Sequence, residues 1–238
     1  MTKKTILTLL ALLLLFSICV ASAESDNRSL VVYFDYSENM GDLTGMSVDA
    51  ITSASLNAAT DNTQGNLQVM ANAIHAATGS DVFPVHVEET HVPGYLDMVQ
   101  DAGEAQKENR PFTVRNLPVD FNGYDTIYLG TPVWYAQLPQ QVASFLQQVD
   151  WSGKQIIVFG IHLGSGWGRN LNQIRELQPD AEVIEGITIY ASASNNEARE
   201  AITRYLGKKT ERDCVCNSVS VFRWNVMIRD DMPWEIII

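Results

Sequence analysis

The chain has 238 residues, 46% of them hydrophobic and 18% charged. This is an ordinary globular composition that supports a sizeable core and excludes a disordered or fibrous chain. The formal net charge of −12 disfavours nucleic acid and anionic membrane surfaces as partners; its plainer reading is a surface that keeps the chain soluble, and docking to a basic redox protein is the alternative.

The first 23 residues form a separate object. Lys3 and Lys4 give a positive start, Ile6 to Val20 is nearly unbroken in its apolarity, and Ala21-Ser22-Ala23 places small residues at cleavage positions. That is the pattern of a secretory signal peptide, and the apolar run is short of the roughly 20 residues that span a bilayer. The expectation is export, with a membrane contact only through an uncleaved leader, then one domain over 24–207 and an extension of unknown role over 208–238.

Ser29 to Asp35 is a short apolar run that predicts a buried strand. Tyr36 to Thr63, rich in Ser, Asn, Asp, Gly and Thr, is too long for a plain turn, and loops of that length are usually functional. Asn62 and Thr63 precede a helical period at Leu67, Met70, Ala71, Ile74 and Ala77 that Gly79 stops. Asp81 to Glu88 reads as a strand, placed at a sheet edge by Pro84, which has no N–H for an interior ladder. Helices are expected over Tyr95–Asn109, Leu138–Val149, Gly168–Leu177 and Asn195–Leu206, the last ended by Gly207. Strands are expected over Tyr124–Gly130, Gln155–Gly160 and Glu182–Ala191. Strand and helix thus alternate five times, and the apolar strands need cover on both faces, the mark of an α/β parallel sheet. Beyond Gly207 the rhythm stops. Cys214 to Ile228 is compatible with a strand, and Cys214 and Cys216 offer a tight C-x-C pair that export would allow to oxidise. No cysteine and histidine spacing reads as a metal site.

Ligands of open parallel sheets bind beyond the carboxyl ends of the strands. Three loops leave such ends. The first runs into the helix start at Asn62 and Thr63, where unsatisfied N–H groups suit a phosphate, with Ser37 and Asn39 as further donors; plain capping by Asn62 or Thr63 is the alternative. The second, Thr131-Pro132-Val133-Trp134-Tyr135, offers two adjacent aromatics that either flank a planar ring or pack under the next helix. The third, Ile161 to Arg169, has Gly164, Gly166 and Gly168 within five residues, beside His162, Ser165 and Trp167. Arg169 breaks the dinucleotide pattern G-x-G-x-x-G, and Leu163 breaks the nucleophile pattern G-x-S-x-G. No catalytic side chain is singled out. Together the loops describe a flavin mononucleotide pocket.

The same residues carry a family resemblance. Leu30 to Phe34, Glu38-Asn39, Asn62-Thr63 with Gly65, Tyr124 to Trp134, Ser152-Gly153-Lys154, and His162 with Gly164-Ser165-Gly166 make the chain similar to flavodoxins. More narrowly, it resembles exported bacterial flavodoxin-like proteins with an enlarged first loop. The resemblance implies a doubly wound five-stranded parallel sheet in the order 2-1-3-4-5, with helices on both faces. It also implies non-covalent FMN, its phosphate met by Ser37, Asn39, Asn62 and Thr63. The ring would lie between Thr131, Pro132, Trp134 and Tyr135 on one side and His162, Gly164, Ser165, Gly166 and Trp167 on the other. The implied role is electron carrier or quinone-type small-acceptor reductase, with a redox protein or small acceptor as partner. The alternative is a flavin-free binding module of the same fold. Two features depart from the family pattern: the insertion from Gly41 to Asp61, and Asp35, which stands where relatives usually have a small hydroxyl residue. A carboxylate there repels a phosphate dianion unless it turns away or is neutralised.

Overall fold

Ser29–Tyr33 (β1) is followed by Phe34 and Asp35, and from Leu30 onward every residue of this run is buried. Such burial requires cover on both faces of the sheet, and the alternation of side chains divides it. Leu30, Val32 and Phe34 join one core cluster, whereas Val31 and Tyr33 join the other. The computed structural model describes residues 28–35, 39, 65–89, 95–115, 117 and 120–210. The expected leader, the insertion over 41–61, Cys214, Cys216 and the chain beyond 210 lie outside them.

Asn66–Thr78 (α1) leads to Asp81–Pro84 (β2), which pairs in parallel with β1. Thr126–Pro132 (β5), Gln155–His162 (β6) and Glu182–Tyr190 (β7) complete a parallel five-stranded sheet in the order β2-β1-β5-β6-β7. Counting only its five strands, this is the 2-1-3-4-5 order that the resemblance implies, and β2 with its proline is at the edge, as expected. Tyr95–Glu108 (α2), Gln140–Leu146 (α3) and Asn170–Leu177 (α4) follow the expected helical segments. They cover the first cluster through Ala102, Val142, Phe145, Leu171 and Ile174. The opposite face is closed by α1 and by the helix over 195–210 (α5), through Leu67, Met70, Ile74, Ala198 and Ile202.

Several boundaries differ from the sequence expectation. The segment read as one strand over Asp81–Glu88 breaks at Val85. Its second half, His86–Val87 (β3), leaves the main sheet to pair antiparallel with Val114–Arg115 (β4). Strands β5 and β6 each run two residues further than their apolar cores suggest, so Thr131 and Pro132 are strand residues paired with Gly160 and Ile161. Helix α5 does not stop at Gly207 but continues to 210. It opens with a reciprocal capping box. The Ser194 N–H and hydroxyl donate to the Glu197 carboxylate at 2.8 Å each, and the Glu197 N–H donates back to Ser194 Oγ at 3.3 Å.

Candidate functional site

The order reverses between β1 and β5, and the carboxyl ends of these strands with β6 and β7 form the site expected for an open parallel sheet. The second and third loops meet there directly. Val133 N–H donates to Ile161 O at 2.9 Å, Arg169 N–H to Ala136 O at 2.8 Å, and Asn170 Nδ2 to Pro132 O at 3.1 Å. Gly168, at φ +52°, lies so close to the Ala136 carbonyl that a Cβ would overlap it. Glycine is therefore required at Gly168 by both conformation and space.

The second loop is a two-residue turn closed on both sides, Trp134 N–H to Gln137 O at 3.0 Å and Gln137 N–H to Trp134 O at 2.8 Å. Tyr135 and Ala136 at its tip have φ of +51° and +56°, a left-handed pair that costs energy for residues other than glycine and is found preferentially at ligand clamps. The tip presents Tyr135, 53% exposed. Its hydroxyl donates to Val99 O at 2.7 Å, and the absence of a side chain at Gly103 leaves room for its ring against α2.

The aromatic wall expected from Trp134 and Tyr135 together is therefore Tyr135 alone. Trp134 is 8% exposed and lies edge-on to Phe34, with ring centroids 5.8 Å apart. It supports the site from below and offers no open ring face. Thr131 and Pro132 are likewise buried in the strand, and the Thr131 hydroxyl donates to Pro132 O at 3.0 Å. Trp167, placed on the ring side by sequence, is half-buried over Gly160 on the sheet face, and its Nε1 donates to Glu185 at 2.9 Å. The third loop exposes Leu163, Gly164 and Ser165 at its tip, with Gly166 half-exposed, and Gly168 and Arg169 at its far end. His162 holds this loop: its Nδ1 accepts the Gly164 N–H at 2.9 Å. Its ring lies 4.6 Å from that of Tyr190, an exposed residue that the sequence reading did not single out. Its signal was positional, as the last residue of β7.

At the other end of the site the outcome is different. Helix α1 begins at Asn66 with Gly65 as N-cap, so the helix start expected at Asn62 and Thr63 is found three residues later. Ser37, Asn62 and Thr63 lie outside the described residues. Asn39 is not turned to a ligand: its Nδ2 donates to Asp35 O at 2.9 Å and to Val85 O at 3.1 Å, and its Oδ1 accepts from Val87 N–H at 2.9 Å. Both of its N–H donors are engaged, so it braces the chain after β1 against the segment joining β2 and β3. Asn66 Nδ2 reaches Ala191 O at 2.5 Å, tying the start of α1 to the end of β7.

The group at the start of α1 is the Asp35 carboxylate. Asp35 is fully buried, and its Oδ2 accepts the Gln68 N–H at 3.3 Å. A Cβ on Gly65 would overlap the same carboxylate. Gln68 is the third residue of α1, so a residue from the end of β1 caps the helix in place of a local side chain and satisfies its positive end.

Fold and loops thus define a doubly wound α/β protein with its candidate site at the topological switch point. The model of the flavodoxin family matches residues 56–205, well over half of the chain, and the chain belongs to that family. It is similar in structure to a protein of Bacteroides uniformis assigned as a flavoprotein, at 16% identity and a TM-score of 0.53, over 74% of this chain and 98% of the other. It is also similar to a protein of Bacteroides eggerthii with the same assignment, at 16% identity and a TM-score of 0.51, over 75% and 98%. A flavoprotein of Lactobacillus acidophilus solved with FMN aligns at 16% identity and a TM-score of 0.45, over 68% and 92%. The two Bacteroides likenesses show the fold. No curated protein matches the sequence.

FMN, the cofactor implied by the family resemblance, meets the two ends of the site unequally. The loops at Tyr135 and Gly164–Gly166 are open and shaped by glycine, compatible with a planar ring. The start of α1 already holds the buried Asp35 carboxyl group, which takes the Gln68 N–H and fills the space against Gly65, so the residues described there do not fit the 5′-phosphate.

Proposed function

We propose that this chain is a flavin-binding redox protein that works outside the cytoplasm, as an electron carrier or as a reductase of small quinone-type acceptors. One observation carries the reading: in a chain of the flavodoxin family, the loops after β5 and β6 are joined by backbone hydrogen bonds, with Tyr135 exposed on a strained tip beside an open glycine turn. Strain at such a tip is kept where rigidity serves a ligand. A flavin carries the electrons itself, and the protein binds it, orients it and tunes it. The export half of the proposal rests on the leader-like pattern over 1–23. A redox protein or a small acceptor is the partner this role requires.

Titration of flavins into the purified full chain tests the reading. Flavin fluorescence should be quenched to saturation, and Tyr135→Ala and Gly166→Val should each weaken binding at least tenfold while far-UV circular dichroism stays unchanged. Absence of quenching with both FMN and riboflavin would leave the second reading, a flavin-free binding module, which the buried Asp35 carboxylate favours.

A further inference from the structure

We infer that the flavin this chain takes lacks the 5′-phosphate, because Asp35 itself occupies the anion position at the start of α1. The inference rests on the flavin reading above and names the chemical class of ligand: a riboflavin-type molecule with an uncharged end to its ribityl chain.

The carboxyl group is packed in place by its surroundings. The backbone on its two sides is pinned, by Phe34 N–H to Gly130 O at 3.0 Å and by Asn39 Nδ2 to Asp35 O at 2.9 Å. Its side chain is fully buried, with Oδ2 on the Gln68 N–H. The bare α-carbon of Gly65 leaves the space that the carboxylate fills. The helix-start N–H that would meet a phosphate is thus already taken within the chain, and the space beside it is filled.

The test measures dissociation constants of riboflavin and FMN for the purified full chain and for Asp35→Ser and Asp35→Asn, by quenching of flavin fluorescence. Circular dichroism and thermal unfolding serve as controls for folding. The expected result is that the native chain binds riboflavin at least as tightly as FMN. Both variants should then gain at least tenfold in FMN affinity, with riboflavin affinity changing less than threefold. A native chain that prefers FMN tenfold or more overturns the inference and leaves the flavin reading standing, as do folded variants that gain no FMN affinity while riboflavin still binds. A native chain that binds neither flavin, with FMN binding appearing in Asp35→Ser, supports the carboxylate as the block and sinks native flavin use. No binding to any of the three proteins overturns both.

Discussion

Gly65 has no room for a side chain because the Asp35 carboxylate lies against its α-carbon. This gives a prediction independent of any ligand. Gly65→Ala forces the carboxylate off the helix start and should lower stability by about 1–3 kcal/mol, the usual range for overpacking a filled site. In Asp35→Ala the clash disappears along with the cap, so the double variant should be more stable than the sum of the single effects allows, by roughly 1 kcal/mol or more. Urea unfolding of the four proteins checks this, and strict additivity would contradict the contact. At this scale the sequence was informative about which residue was unusual and silent about where it pointed. Asp35 stood out against the family pattern, but its burial and its contact with a helix 33 positions away are tertiary facts. Asn39 shows the converse. Its residue type suits a phosphate, and its amide is instead taken by three backbone groups from two segments.

Among the elements, those with long apolar cores were legible: β1, β5, β6, β7, and α1 with its Gly79 stop. Their ends were less so. Strand β5 continues through Thr131 and Pro132 because its partner β6 also continues, and pairing of that kind leaves no mark on hydrophobic pattern. Gly207 was read as a stop because glycine commonly ends helices, yet α5 passes through it, and a Cβ there would meet nothing within 4 Å. Gly207→Ala should therefore raise stability by about 0.5–1 kcal/mol, the helix-propensity difference at an exposed site; a loss of stability in thermal unfolding would show that glycine is required.

The edge strand β2 carries a second element-scale prediction. The Asp81 carboxylate accepts from the Tyr124 hydroxyl at 2.7 Å and from Arg28 at 3.0 Å. The hydroxyl first, and then the guanidinium, hold the Asp81 carboxyl below its ordinary range. A carboxyl depressed in the folded state stabilises the fold above its ordinary value, and that contribution is lost as pH falls through the depressed value. Tyr124→Phe removes the larger cause, so Asp81 should titrate nearer to the ordinary carboxylate range. An NMR titration in which Asp81 is unmoved by the substitution would contradict the pairing.

For the whole molecule, five strands, their parallel order and helices on both faces followed from alternation and apolar runs, because burial on both faces is written residue by residue. The site was legible as three loops at one edge of the sheet, and two of them do meet there. What each side chain does was not legible, since Trp134 and Trp167 turn toward the core for reasons set by Phe34, Gly160 and Glu185. On the reading proposed above, this flavodoxin-family chain keeps the ring end of the site and fills its phosphate end with its own carboxyl group. The most direct measurement is the visible absorption spectrum of the purified full chain equilibrated with riboflavin and passed through a desalting column. The expected eluate is a yellow protein that retains riboflavin with shifted, structured flavin bands; a colourless eluate with all the flavin left behind would overturn the flavin reading.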